Sequence, residues 1–366
     1  MTGVQTCALP ICGATRVALR APWAWWSAFT GVLNVLTDAS GGDLRMGTSY
    51  SFPGFPLASV VLADKVAAYY TGTLNGGAGT TIEIGELSGS ALSALGGGAT
   101  GGRNFTYRIG GKTLAGSEAV FAGSIYEQNT GTATSYVKTG AGTWTLSGSG
   151  AWNGGTVVEQ GTLKITGFVT CGAATNVATA AALTLANGTL TTDALNIASG
   201  AVFTGSGSAA LHGDFNNDGT ATLTSGTFTV TGDAVNNGTL RFTGGAALTA
   251  TGAFVNNGLL DLLTSPSALP ATFENNGIVL LRELVKVASA TKSGSTFTVK
   301  IDSFAAHTYQ LQRADFLGGA WGNVGGVQNG AHTVNGDGSI TPAQLTFTDA
   351  GGATGAHRYY RINVGP

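Results

Sequence analysis

Apolar and polar positions along the middle of the chain recur with a fixed spacing. FNNDGTA (215–221), AVNNGTLRF (234–242), FVNNGLL (254–260) and FENNGIV (273–279) share one arrangement, and their glycines Gly219, Gly238, Gly258 and Gly277 lie 19, 20 and 19 residues apart. Two residues after each glycine stand Ala221, Leu240, Leu260 and Val279; four after it stand Leu223, Phe242, Leu262 and Leu281. The position between these apolar columns holds Thr222, Arg241, Asp261 and Leu280, mostly polar. Period-two alternation inside a period near twenty predicts short strands with one buried and one wet face.

Such a repeat, with no helical period, points to stacked coils: a parallel β-helix. In 239–256 the strands of one coil are expected at TLRF, AALTA and AFV, with TGG, TG and NN turns between them. Phe228 and Val230 are answered by Leu248 and Ala250 one coil later, as a second inward-facing strand requires. An Asn-Gly between apolar runs is also a hairpin signal, so an antiparallel sandwich is the competing fold. The constant spacing of equivalent positions favours the β-helix.

The same spacing appears upstream. GTWTL (142–146) and GTLKI (161–165) begin 19 residues apart, GTLTT follows at 188–192, and TGTLNGGAGTTIEIGELSGS (71–90) alternates likewise. Coils of about 20 residues are therefore expected over 31–283, roughly a dozen of them at about 4.8 Å each. Residues 284–366 lose the period. TFTVKID, TYQLQRA, LTFTDA and YYRINV read as strands of a separate small β-sandwich, a fibronectin III-like module.

The N-terminus does not fit. MTGVQTCALPI resembles a translated sequencing adapter, whose last base also begins a Cys codon, so residues 1–12 are set aside as an expected artefact. Cys7 and Cys12 are then no metal or disulfide pair. Residues 13–30, with Trp23, Trp25 and Trp26, are expected to be an irregular edge.

Composition narrows the partners. Only 10% of the 366 residues are charged and the net charge is −2, which argues against nucleic acid and anionic membranes. Hydrophobic residues make up 43%, more than a disordered chain carries despite 59 glycines. No apolar run reaches the ~18 residues of a membrane span. Six of the 17 basic residues (Lys286, Lys292, Lys300, Arg313, Arg358, Arg361) fall in the C-terminal module, spread rather than clustered.

VKTGAGTWTLSGSGAWNGGTVVEQGTLKITG (137–167) carries a resemblance. Lys138, Gly140, Gly142, Thr143, Leu146 and Gly148 match the Lys-x-Gly-x-Gly-Thr-x-x-Leu-x-Gly opening of the autotransporter-associated β-strand repeat. Asn153 to Thr156 then match its Asn-x-Gly-Gly-Thr-like turn and Gly161 to Leu163 its Gly-Thr-Leu strand. Trp152-Asn153 departs from the family's usual Tyr-Thr or Tyr-Ser. One full copy is present, about a twelfth of the chain. The tail from YQLQRADFLGG to YYRINV is similar to a small C-terminal module of secreted repeat proteins. The resemblance implies a right-handed parallel β-helix, exported to the surface or exterior of a bacterium, with a structural, adhesin-like role. Because the chain reaches Pro366 directly after YYRINV, no translocator barrel is expected within it, and export by another route is expected.

Candidate chemistry is sparse. Asn236, Asn256 and Asn275, and likewise Asn237, Asn257 and Asn276, are expected to stack from coil to coil above the glycine column. Asn tolerates left-handed backbone, and its amide can bond to neighbouring coils. A calcium ladder would need an Asp per coil, but Asp214 and Asp233 are answered by Ala253 and Thr272. Arg241 and Asp261 are expected to pair as an exposed, weak ion pair. Asp214 and Asp233 are also the carboxylates that adjacent coils would offer a glycan-cleaving, pectate-lyase-like site. Trp144, Trp152 and Trp321 are candidates for stacking on sugar rings, against the plainer reading as core. His212, His307, His332 and His357 show no metal spacing. Neither catalytic residues, metal nor cofactor is expected. The expected function is a stalk or presentation scaffold meeting extracellular glycans or proteins, with a carbohydrate-binding or carbohydrate-cleaving β-helix as the alternative.

Overall fold

A computed structural model describes residues 6–11, 16–19, 27–37, 40–46, 54–70, 80–98, 104–129, 131–354 and 357–366. From Thr6 to Leu280 every strand pairing is parallel, and the chain winds as a parallel β-helix with three walls. One coil shows the design. Thr156–Val158 lies in the first wall, Thr162–Ile165 in the second and Phe168–Cys171 in the third. Each strand then pairs with its equivalent one coil on: Thr156 with Thr175, Leu163 with Leu183, Val169 with Leu190. The expected strands of 239–256 are present as Thr239–Phe242, Ala247–Ala250 and Phe254–Asn256.

The period-two pattern explains the core. In the second wall Trp144, Leu163, Leu183, Phe203, Ala221, Leu240 and Leu260 stack in consecutive coils, all buried. Stacking identical faces at strand spacing lets one apolar column run the length of the rod without a domain boundary. Aromatic rings thread the same interior, with Phe105, Tyr107, Tyr136 and Trp152 in successive contact at centroid separations of 4.6–5.5 Å.

The coil length differs from expectation in the N-terminal part. Leu44 pairs with Ala68, Ala68 with Leu95, and Leu95 with Ile125, so these coils take 24, 27 and 30 residues. Only from Tyr136, which pairs with Thr156, does the spacing settle near twenty, and Trp144 with Leu163 and Gly150 with Val169 follow at 19. The long strands Gly54–Leu62 and Thr80–Gly89 serve both the first and second walls, which later coils divide between two strands. The edge expected to be irregular contains Arg16–Leu19, paired with Gly42–Met46, and Thr6–Ile11 pairs with Val32–Thr37. Cys12, Trp23, Trp25 and Trp26 lie outside the described residues.

The third wall ends at Ala247–Ala250. Its free edge is occupied by the following loop: Ser267 Oγ accepts the Leu248 N–H at 2.7 Å, and Ser265 Oγ donates to the Ala246 carbonyl at 2.8 Å. Pro266 and Pro270 in that loop supply no N–H, so no further strand can form there.

After Leu280 the pairing turns antiparallel. A four-stranded sheet contains Val287–Ser293, Thr296–Ser303, Ile340–Asp349 and His332–Val334; a three-stranded sheet contains Gly322–Asn329, Thr308–Ala314 and Tyr359–Gly365. The small sandwich formed by these sheets has its own core of Val299, Ile301, Tyr309, Leu311 and Phe347. It is not separate from the rod. Phe304 packs with Leu263 and Leu280, and with Leu259 and Ile278 around them. Leu259, Asp261, Ile278 and Leu280 alternate with the inward Leu260 and Val279, so the module covers the outer side of the second wall at its last two coils.

Candidate functional site

The Asn pairs sit where the first wall turns into the second. Asn217, Asn236, Asn256 and Asn275 are register partners at the ends of successive strands. Asn217 Nδ2 donates to Asn236 Oδ1, Asn236 Nδ2 to Asn256 Oδ1 and Asn256 Nδ2 to Asn275 Oδ1, each at 2.7 Å. The second N–H of each amide reaches a main-chain carbonyl of the next coil: Thr239, Leu259 and Ile278, each at 3.0 Å. Asn217, Asn236 and Asn256 are fully buried. Each buried amide therefore bonds both along its own column and to a carbonyl of a second-wall strand, so its N–H groups are satisfied without water.

The second column runs outside. Asn276 Nδ2 donates to Asn257 Oδ1, Asn257 to Asn237 and Asn237 to Asp218, at 3.0, 2.8 and 2.7 Å. The inner amides donate toward the C-terminal end and the outer ones toward the N-terminal end. A third series, unexpected from the sequence, links Asn216 to Asn196 and Asn196 to Asn176 at 2.9 and 2.8 Å on the outer face of the first wall. Its signal was the centre of TNV, LNI and FNN at twenty-residue spacing.

Left-handed backbone is not the reason for asparagine here. The non-glycine residues with positive φ among those described are Lys65, Ala180, Asn187 and Ala306, none of them in these columns. Nor do Gly219, Gly238, Gly258 and Gly277 have positive φ. Their constraint is crowding between coils: a Cβ on Gly238 would stand 2.0 Å from the Gly219 carbonyl oxygen, and one on Gly258 2.0 Å from that of Gly238.

Asp214 and Asp233 are exposed but engaged. Asp214 Oδ1 accepts the Asp233 N–H, and Asp233 Oδ1 accepts the Ala253 N–H, both at 2.9 Å. These carboxylates tie one corner to the next. Trp144 and Trp152 are buried inside the helix, where no sugar ring can lie against them. Trp321 is half-buried and holds the Arg361 guanidinium 4.5 Å above its ring.

Two buried ionisable groups stand out. Lys138, from the repeat-like block, is 1% exposed, and its Nζ donates to the carbonyls of Thr139, Gly140 and Gln160 at 2.7, 2.8 and 3.0 Å. Desolvation lowers its pKa to about 8. Asp261 pairs with Arg241 as expected, at 2.8 Å, but the pair is not exposed: Asp261 is fully buried beneath the module. His307 Nε2 meets the same carboxylate oxygen at 2.9 Å. Burial pushes the Asp261 carboxyl up, yet His307, the Leu263 N–H and Arg241 together outweigh it and leave the pKa lowered. Arg241 and Asp261 are on adjacent coils and His307 on the sandwich, so this cluster joins the two parts.

Among the described residues no three His, Cys, Asp or Glu side chains gather as metal ligands, and no helix is long and apolar enough to cross a membrane. What the polar side chains do chemically is bridge coils. In comparison with known proteins, residues 137–165 match the family model of the passenger-associated-transport-repeat. This is the block in which Lys138 clamps its turn to the next coil. No curated protein and no solved structure matches the chain.

Proposed function

We propose that this chain, an autotransporter-passenger-like repeat protein folded as a parallel β-helix, is a secreted or surface-displayed bacterial scaffold: a non-catalytic, adhesin-like stalk whose outer faces and C-terminal module meet extracellular partners. The observation that carries this reading is the use of its polar side chains. Asp214, Asp233, Lys138 and the Asn columns all bond between coils, so the groups a catalyst would need free are committed to the scaffold. The passenger-associated repeat at 137–165 supports an exported location.

Among the described residues, eleven strands in the third wall at about 4.8 Å each give a rod on the order of 50 Å long. Small-angle scattering of the purified chain should give an elongated particle of that scale. Incubation with plant and bacterial polysaccharides should release no reducing ends. Sugar release that disappears in Asp233→Ala would replace the scaffold reading with a carbohydrate-cleaving one.

A further inference from the structure

Asn-Gly recurs at one corner of the rod, as Asn237-Gly238, Asn257-Gly258 and Asn276-Gly277, and all three asparagines are exposed. Their main chains are not held alike. The Gly238 N–H donates to the Asn217 carbonyl and the Gly258 N–H to that of Asn236, both at 2.9 Å; among the described residues the Gly277 N–H has no acceptor. The next coil also closes over the first two corners. The Gly238 carbonyl accepts the Leu259 N–H and the Gly258 carbonyl the Ile278 N–H, at 2.8 and 2.7 Å. Phe273–Asn275 and Ile278–Leu280 are the last strands of their walls, so no coil follows Gly277. Among the described residues its carbonyl accepts only the Asn275 amide of its own corner, at 3.0 Å.

We propose that Asn276-Gly277 is a self-modifying site, where the side-chain amide is lost by ring closure onto the Gly277 nitrogen, and that the coil above holds the two inner copies inert. The main-chain nitrogen, after giving its proton to hydroxide, attacks Asn276 Cγ. The N–Cγ bond forms as the Cγ–Nδ2 bond breaks, and Nδ2 leaves as ammonia with a proton from water. Water then opens the five-membered imide at either carbonyl, leaving aspartate or isoaspartate. To reach Cγ, the Asn-Gly peptide must rotate out of its corner geometry. Glycine puts no Cβ in the way, and at 276–277 no bond from the Gly277 N–H opposes the turn. At the inner corners the same rotation breaks the glycine's N–H bond and its carbonyl's bond to the next coil, a cost the end corner does not bear.

Position decides what the change does. The outer amides donate toward the N-terminal end, so Asp218 heads their column as an acceptor alone, receiving Asn237 Nδ2 at 2.7 Å. A carboxylate at 276 meets the opposite arrangement. Asn276 Nδ2 donates to Asn257 Oδ1 at 3.0 Å and to Glu274 Oε1 at 3.1 Å, two acceptors that a carboxylate cannot bond. Isoaspartate also adds a main-chain carbon just before Ile278–Leu280, the strand whose outward Ile278 and Leu280 pack beneath Phe304 of the sandwich. Modification therefore loosens the rod's hold on the module.

Ageing the purified full chain in warm, mildly alkaline buffer, with each Asn-Gly peptide followed by mass spectrometry, reads the reaction as a carboxylate gained for an amide. Asn276 should react at least about tenfold faster than Asn237 and Asn257, whose corners must first break main-chain bonds. In urea all three should react at one rate. Equal rates in the folded chain, or a lead for Asn276 that persists in urea, would overturn the assignment. Asn276→Gln keeps an amide but closes a ring far more slowly, so protease should cut its connector around Arg282–Leu284 at much the same rate before and after ageing. Aged wild type should be cut at least about threefold faster than fresh protein. Asn335-Gly336, in an open loop of the module, ages in both proteins, so the difference between them isolates residue 276. Equal digestion of aged wild type and aged variant would overturn the loosening of the module.

Discussion

Asp261 Oδ2 lies 2.9 Å from His307 Nε2, with both side chains fully buried. A carboxylate only accepts, so Nε2 donates, and the bond fixes the sandwich to the second-last coil of the helix. Removing one member of a buried, hydrogen-bonded pair leaves the other without compensation, typically at about 3–5 kcal/mol. Asp261→Ala should therefore lower the unfolding free energy by that order in urea titrations. It should also speed proteolysis of the connector around residues 282–286. A loss below about 1 kcal/mol with an unchanged digestion pattern would mean the apolar contact of Phe304 with Leu280 holds the module alone.

The same carboxylate makes the junction sensitive to acid. Its folded pKa is lowered, so it contributes stability that is complete above the ordinary Asp range near 4 and lost as pH falls through the folded value. Melting temperatures of wild type and Asp261→Asn, measured between pH 7 and pH 2, should converge at the acid end. A constant gap across that range would show that the charge contributes nothing.

How far the sequence reveals this architecture depends on which contacts repeat. The coil period was legible because Leu240 and Leu260 pair in register at a spacing set by the backbone. It was not legible before Tyr136, where loops of varying length carry the chain from Leu44 to Ala68 and on to Leu95, so equivalent positions lose phase. The inner Asn column was legible as a recurrence. So was the bonding of its amides from coil to coil; what was not legible is the reason for the glycines beside it, since Cβ crowding at Gly238 is a property of the neighbouring coil rather than of the local turn. Docking of the sandwich left only a faint mark. The outward pair Thr220 and Thr222 becomes Leu259 and Asp261, then Ile278 and Leu280, as that face passes from solvent to contact. A contact between distant segments has no period by which it can be read.

The two Asn columns should differ sharply under substitution. Asn256→Leu removes the acceptor of the buried Asn236 amide and the donor to the Ile278 carbonyl, two losses worth about 1–3 kcal/mol each. Asn257→Ala, on the exposed column, loses bonds that water replaces and should cost under about 1 kcal/mol. Thermal unfolding of both variants checks the ranking. Equal effects would remove the distinction between an inner structural column and an outer accessory one.

Gly238→Ala tests the crowding directly. The added methyl would meet the Gly219 carbonyl oxygen at 2.0 Å, so two coils must separate locally, with a cost of about 1–3 kcal/mol or more. Gly336→Ala is the control, because nothing lies within 4 Å of a Cβ there and its φ is ordinary. Denaturation midpoints should fall for the first variant alone. A Gly238→Ala protein as stable as wild type would show that the coil spacing is looser than the carbonyl contact implies.

Lys138 gives a dependence of the same sign as that of Asp261, in the alkaline range instead of the acid one. Its pKa falls from an ordinary value of 10.5 to about 8 on burial among three carbonyls. Below pH 8 both folded and unfolded chains hold the proton, and the folded state bears the full cost of a buried charge. Between pH 8 and 10.5 the unfolded chain binds more protons than the folded one, so this residue's contribution grows more favourable as pH rises. The total gain is on the order of 3 kcal/mol. The tyrosines that titrate at higher pH, Tyr107 and Tyr136 among them, are common to wild type and Lys138→Met, so the difference between the two isolates the lysine. Wild type should gain on the variant from pH 8 to pH 10 in urea unfolding. Parallel curves would mean that the three carbonyls hold the ammonium as well as water does, and that the repeat's lysine is charged throughout.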